Sequence, residues 1–134
     1  MKIIGTGVDI INNKRINRLL KNKLFVKRIY SSKEILLSKK SNSKTSYFAK
    51  RFAAKEAFSK SIGTGIRNGL NFNDITITND KLGKPSFLIN PKLKKIIIDK
   101  FKVKTFDFFL SISDEKNYSI AFVIFQIKWD LINI

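Results

Sequence analysis

The chain has 134 residues, of which 43% are hydrophobic and 12 are Phe; this is enough apolar material for one folded domain spanning 1–134 and argues against disorder. It contains no Cys and no His, which excludes a disulfide framework, thiolate or imidazole metal sites and a Ser-His-Asp triad, and leaves catalysis to carboxylates, lysines, hydroxyls, bound water or an oxygen-held hard cation such as Mg²⁺. A formal net charge of +17 implies an anionic partner, whether nucleic acid, phosphorylated small molecule or acidic protein, although a compositional bias toward Lys, Ile and Asn is an equally sufficient source.

Ile3 to Ile10 read as a strand, with Gly5 and Gly7 as points of close approach and Asp9 near its end. Asn13 to Leu20 and Leu24 to Ile29 read as helices. A third helix is capped by Ser31 or Ser32, with Glu34 in its first turn. Lys39 to Ser46 are polar and Ser-rich and read as a loop. A long helix runs from Tyr47 to about Ile62 and stops at Gly63, where a left-handed residue is expected. Ile66 to Leu70 read as a loop. Phe72 to Thr78 read as a strand with an imperfect period, so a bulge or a late start is expected. Asn79 to Pro85 form a turn, and Ser86 to Ile89 a short strand. Pro91 to Phe101 form a helix capped by Asn90. Phe106 to Ser113 and Tyr118 to Ile127 form a hairpin around Asp114-Glu115-Lys116-Asn117. Lys128 to Ile134 have no clear pattern. The order of elements predicts an α+β fold, a small antiparallel sheet packed with one long and several short helices. No stretch approaches the ~20 apolar residues of a membrane span. Met1 to Gly7 are too short and too Gly-rich for a signal peptide. The expectation is a soluble, cytoplasmic protein.

Arg51-Phe-Ala-Ala-Lys-Glu-Ala-Phe-Ser-Lys60 is the most informative segment. As a helix it sets Phe52, Glu56 and Lys60 on one stripe, beside Ala53, Ala54 and Ala57, which suit close packing. A carboxylate next to a packed face suits metal ligation; the alternative is a plain Glu56–Lys60 ion pair. Asp9 is a lone acid at a strand end, read by itself as a turn or cap residue. Paired with Glu56 it makes a possible two-carboxylate Mg²⁺ site. Gly63-Thr64-Gly65 through Gly69 is neither a P-loop nor a dinucleotide fingerprint, but its backbone amides could cradle a phosphate.

These pieces, in this order, resemble the bacterial holo-acyl-carrier-protein synthases, the phosphopantetheinyl transferases of fatty-acid synthesis. The matching segments are Gly5-Thr-Gly-Val-Asp-Ile10, Lys14-Arg-Ile16, Arg51 to Lys60, Gly63-Thr-Gly-Ile-Arg-Asn-Gly-Leu70, Gly83-Lys-Pro85 and Leu110-Ser-Ile-Ser-Asp-Glu-Lys-Asn-Tyr118. The resemblance implies the 4′-phosphopantetheinyl transferase fold. It also implies transfer of the 4′-phosphopantetheine arm of coenzyme A to a serine of apo acyl carrier protein, with release of adenosine 3′,5′-bisphosphate. In that pattern Asp9 and Glu56 hold Mg²⁺, Lys60 contacts the phosphates and Arg51 approaches the 3′-phosphate. Gly63, Thr64, Gly65, Lys84 and Pro85 line the nucleotide pocket, and Arg15 grips acidic residues of the carrier protein. The family assembles as homotrimers with sites at subunit boundaries, and neither nucleic acid nor membrane is an expected partner. Two positions depart from the commoner pattern. Asp114 stands where many members carry His, as in another branch of the family, and Asn12 stands where several carry an acid. With no histidine present, a metal-bound or carboxylate-held water is the expected acceptor of the serine proton, with Asp9 the first candidate to hold it. Two other readings are a basic nucleic-acid-binding module, and an inactive relative that binds coenzyme A or the carrier protein without transfer.

Overall fold

Two glycines decide how the main helix meets the main strand. The computed structural model describes residues 1–67 and 69–128. Within it, strand β1 (Lys2–Asn12) lies against helix α4 (Lys44–Ile62). A methyl group built at Gly5 would collide with the Ser61 carbonyl oxygen, and one built at Gly7 with that of Ala57. Ala57 and Ser61 are one helical turn apart, and Gly5 and Gly7 share one strand face, so the two backbones lie directly against each other. The same face carries Asp9 and Ile11, one and two pleats further on.

β1 pairs antiparallel with β5 (Tyr118–Ile127), which pairs antiparallel with β4 (Phe106–Asp114), giving the order β1-β5-β4. Opposite the Gly-x-Gly face β5 presents Ala121, Val123 and Phe125, all fully buried. Phe108 stacks on Phe125 and packs against Phe58 of α4. A separate two-stranded ribbon joins β2 (Thr76–Asn79) to β3 (Pro85–Leu88). Around this core lie α1 (Asn13–Leu19), α2 (Lys23–Ile29), α3 (Ser32–Ser38) and α5 (Pro91–Phe101). The result is the expected α+β architecture.

Several boundaries differ from expectation. β1 runs on to Asn12. The polar 39–46 segment is shorter as a loop, because Ser43 caps α4 by accepting the Ser46 amide, so the helix begins at Lys44. The strand expected from Phe72 starts late: Phe72–Asp74 form a 3-10 turn in which the Asp74 carboxylate accepts the Asn71 amide. Asp114 extends β4, so the hairpin loop is 115–117. Ser31 is the cap of α3, in a reciprocal capping box with Glu34. Gly63 ends α4 with φ of 78°, as expected. Asn68, inside the expected 66–70 loop, and the tail from Trp129 lie outside the described residues.

α4 is buried on most of its circumference, including a charged residue. Lys55 is fully buried and donates to Glu34 Oε1 at 2.6 Å, to the Phe72 carbonyl at 3.0 Å and to the Ile75 carbonyl. Glu34 Oε2 accepts the Ile77 amide at 3.1 Å. All three ammonium protons are therefore used, and both carboxylate oxygens are paired, which is the condition under which a buried ion pair is tolerated. One lysine thus ties α4 to α3 and to the entrance of β2.

The Gly7 contact sets a stability expectation. Gly7→Ala forces backbone apart from backbone, with no flexible side chain able to yield, and is expected to cost about 1–3 kcal/mol or more. A fall in the urea midpoint with unchanged m-value checks this.

Candidate active site

Two groups of polar side chains form on α4, and they lie on different sides of it. The first is the corner where α4 passes the end of β1. Asp9 reaches it because it shares the glycine face of β1. Glu56 and Lys60 reach it from successive turns of α4. The Lys60 ammonium donates to the Val8 carbonyl at 2.8 Å and to Asp9 Oδ1 at 3.2 Å. The ion pair of this corner is thus Asp9–Lys60, in place of the Glu56–Lys60 pair that helix spacing alone allows. The Glu56 carboxylate has no hydrogen bond or ion pair among the described residues.

Both acids are half-buried, and burial is the main reason each holds its proton more tightly than an ordinary carboxyl. For Glu56 the nearby Asp9 charge adds to this, while Lys60 and Arg15 act against it. For Asp9 the Lys60 hydrogen bond and charge, and the Arg15 charge, partly offset burial. Arg15, exposed on α1, therefore stands within electrostatic reach of both acids. Two adjacent, half-buried oxygen donors whose burial is not fully offset by Lys60 and Arg15 suit a hard divalent ion. Among the described residues no group of three or more acidic side chains assembles, so such an ion would have this carboxylate pair and otherwise waters or ligand oxygens.

The second group surrounds Arg51, which sequence reading placed in the same site. Five helical positions separate Arg51 from Glu56, about 140° around the axis. Arg51 lines a cavity of about 390 Å³ with Tyr47, Lys50, Asn79, Pro85 and Asp114. Its guanidinium lies 3.5 Å from the centre of the Tyr47 ring, donates to the Tyr47 carbonyl at 3.1 Å and donates to Asn79 Oδ1 at 2.9 Å. Its buried Nε has no partner among the described residues. A guanidinium with an unused donor at the wall of a cavity fits an anion. Pro85 and Gly83 join this wall, whereas Lys84 is exposed and only its backbone is held, by Asp80. Gly63, Thr64 and Gly65 leave α4 just past Lys60; the Thr64 hydroxyl donates to the Gly65 carbonyl.

Some contributors carried no sequence signal of their own. Asn79 orients Arg51 and also donates to the Gly83 carbonyl. Ser46 donates to Asp114 Oδ2 at 2.9 Å, tethering the hairpin to the first turn of α4. Asn13 donates to the Glu115 and Lys116 carbonyls and accepts from Ser119, fixing the same hairpin to α1. These are pairings between distant segments, and a single polar residue in a sequence does not announce its partner.

Comparison with known proteins gives a consistent picture. A family model described as the 4′-phosphopantetheinyl transferase superfamily matches residues 5–123. The holo-[acyl-carrier-protein] synthase of Pelagibacter ubique is 63% identical over 128 residues, covering 96% of this chain and 100% of that protein. The synthase of the same name from Vesicomyosocius okutanii is 47% identical, covering 94% and 98%. The crystal structure of the Neisseria meningitidis holo-[acyl-carrier-protein] synthase superposes with a TM-score of 0.84 at 42% identity, over 93% of this chain and 99% of that one. The Helicobacter pylori synthase, solved in complex with coenzyme A, gives 0.75 at 32% identity, over 90% and 99%.

The acid corner predicts a pH dependence. Folded Glu56 binds its proton more tightly than an ordinary Glu of pKa 4.5. The native state therefore holds more protons than the unfolded chain just above that pH, and this group's contribution to stability falls as pH rises through the window. Without divalent cations Glu56→Gln is expected to be more stable than the wild type at about pH 7, with the gain fading below about pH 4. Thermal unfolding at both pH values checks this; a less stable variant at neutral pH would contradict it.

Proposed function

The chain belongs to the 4′-phosphopantetheinyl transferase superfamily, and we propose that the Asp9–Glu56–Lys60 corner is where it carries out the transfer. The enzyme moves the 4′-phosphopantetheine arm of coenzyme A to a serine of apo acyl carrier protein and releases adenosine 3′,5′-bisphosphate. The observation that carries the site assignment is the pair of half-buried, mutually repelling carboxylates beside a lysine.

Asp9 and Glu56 are the residues assigned to hold Mg²⁺. When bound, the cation supplies charge neutralisation for the diphosphate as its P–O bond breaks. Lys60 is set to stabilise the same phosphates, its ammonium already positioned by the Val8 carbonyl and Asp9. The serine oxygen attacks the phosphorus of the pantetheine arm, and the bisphosphate leaves with the bonding electrons. Asp9 Oδ2 has no partner among the described residues and is assigned to the water that takes the serine proton. Arg51 is assigned to the 3′-phosphate, with Pro85 and Lys84 along the nucleotide and the Gly63–Gly65 loop beyond Lys60. Arg15 faces acidic residues of the carrier protein, and the basic surface speeds their encounter.

The separation of Arg51 from the acid corner supports an assembly in which one subunit supplies Asp9, Glu56 and Lys60 and its neighbour supplies the Arg51 cavity. The sheet face turned away from α4 supports it too. There Val8, Ile10, Phe109, Ile120 and Phe122 stand 40–58% exposed, an apolar surface suited to other copies. A homotrimer is the proposed state. A cytoplasmic location is proposed as well; among the described residues no helix is long and apolar enough to cross a membrane.

Incubation of apo acyl carrier protein with the enzyme, coenzyme A and Mg²⁺ is expected to add one phosphopantetheine mass. The gain is expected to vanish with EDTA and to fall about 100-fold or more in rate in Glu56→Ala. Asp9→Asn with full turnover at saturating Mg²⁺ would refute the water assignment. Mixing Glu56→Ala with Arg51→Met is expected to restore about a quarter of wild-type activity after random subunit exchange, if sites span two copies. No recovery, despite exchange seen by native mass spectrometry, would place each site within one chain.

A further inference from the structure

A cavity of about 770 Å³ belongs to neither group. It lies between α3, the 3-10 turn, the start of β2 and the cap of α5. Lys27, Lys33 and Lys39 ring it, no acidic residue lines it, and none of these lysines forms an ion pair among the described residues. The nearest acids are committed elsewhere: Glu34 to Lys55, and Asp74 to Lys92 at 2.8 Å and the Asn71 amide. Ile35 and Leu36 supply an apolar wall, with Leu36 63% exposed. In the opposite wall Thr76 is only 7% exposed, yet its hydroxyl has no hydrogen-bond partner among the described residues. The Thr76 hydroxyl oxygen is not itself buried, so it is open at the cavity wall and free to bond a ligand there. The size is that of a small-molecule site.

We propose that this cavity binds a small amphiphilic anion: a phosphate or carboxylate head held by the lysines and Thr76, and an apolar body laid against Ile35 and Leu36. The charge complementarity is local and does not depend on the net charge, because it rests on three unpaired cations around one concave surface. The site also touches the scaffold. Ser31 in its wall donates its amide to Glu34 Oε1, the oxygen that holds Lys55 of α4.

The test is a nitrogen-15 NMR titration of the whole protein with octyl phosphate below its micelle threshold, beside inorganic phosphate and the neutral octyl glucoside. Saturable shifts centred on the amides of Ser31, Ser32, Lys33 and Thr76, from octyl phosphate alone or far more tightly than from phosphate, are expected. The double variant Lys33→Glu, Lys39→Glu and the near-isosteric Thr76→Val are each expected to weaken binding, the former by about tenfold or more. Both changes are expected to preserve the fold, and the same spectra report whether they do. Shifts spread evenly over the basic surface, equal affinity for phosphate or octyl glucoside, binding unchanged in the double variant, or no shifts at millimolar ligand would each overturn the proposal.

Discussion

The contact on which the rest depends is the backbone-to-backbone seating of α4 on β1. A strand and a helix normally meet through side chains, about 10 Å apart. Here Gly5 and Gly7 remove that layer, and the Ala57 and Ser61 carbonyl oxygens occupy the space where Cβ atoms would lie. The consequence is geometric. Asp9, two residues past Gly7 on the same face, is carried down beside Glu56 and Lys60 instead of being held a side-chain layer away. The acid corner is thus a by-product of small residues in both elements, with Ala53, Ala54 and Ala57 fully buried on the helix side.

A second fixed point sets the rotation of α4. Lys55 is adjacent to Glu56 in sequence but points about 100° away, into a fully satisfied set of acceptors made by Glu34, Phe72 and Ile75. Leaving either partner of such a buried pair alone costs far more than the pair itself contributes. The helix therefore cannot turn about its axis without breaking either this pair or the glycine contact. With both in place Glu56 faces β1 and Arg51 faces the β2–β3 ribbon. The acid corner and the Arg51 cavity are separated by the helix that carries them.

How much of this was visible in the sequence follows the range of the interaction. The period-two placement of Gly5, Gly7 and Asp9, the Gly63 stop, the Asn90-Pro91 start and the hairpin strands are local patterns, and they appear where expected. The start of β2 did not, because the Asn71–Asp74 capping contact outcompetes strand propensity over Phe72–Asp74. The start of α4 came earlier than its apolar content, because Ser43 caps a polar first turn. That Asp9, Glu56 and Lys60 belong to one cluster was legible from the order of motifs, and the structure brings them together. Their pairing was not: helix spacing offers Lys60 to Glu56, and only the tertiary approach of β1 gives it to Asp9. The partition of Arg51 into a separate cavity was likewise invisible, since it depends on Asn79 and Asp114 from distant strands.

The electrostatics of the corner run against those of the chain. With 27 basic and only 10 acidic residues, every carboxylate has cations to choose from. Among the described residues four acids are used in ion pairs, Glu34 inside the core pair, Asp9 on Lys60, Asp74 on Lys92 and Asp107 on Lys128, and Asp80 is held in its turn. Among the described acids without an ion pair, Asp80, Asp99, Asp114 and Glu115 are exposed, and Glu56 is not. It is half-buried, beside another acid, with no direct cation partner although Lys60 is one turn away. A fold optimised only for stability would pair it, and the surplus of lysines makes that easy. A partly buried carboxylate kept unpaired in a strongly basic protein is a local inconsistency of the kind that functional sites produce. The cost is carried by the two scaffolding contacts, the glycine seat and the Lys55–Glu34 pair, which hold the acids together although their own charges push them apart.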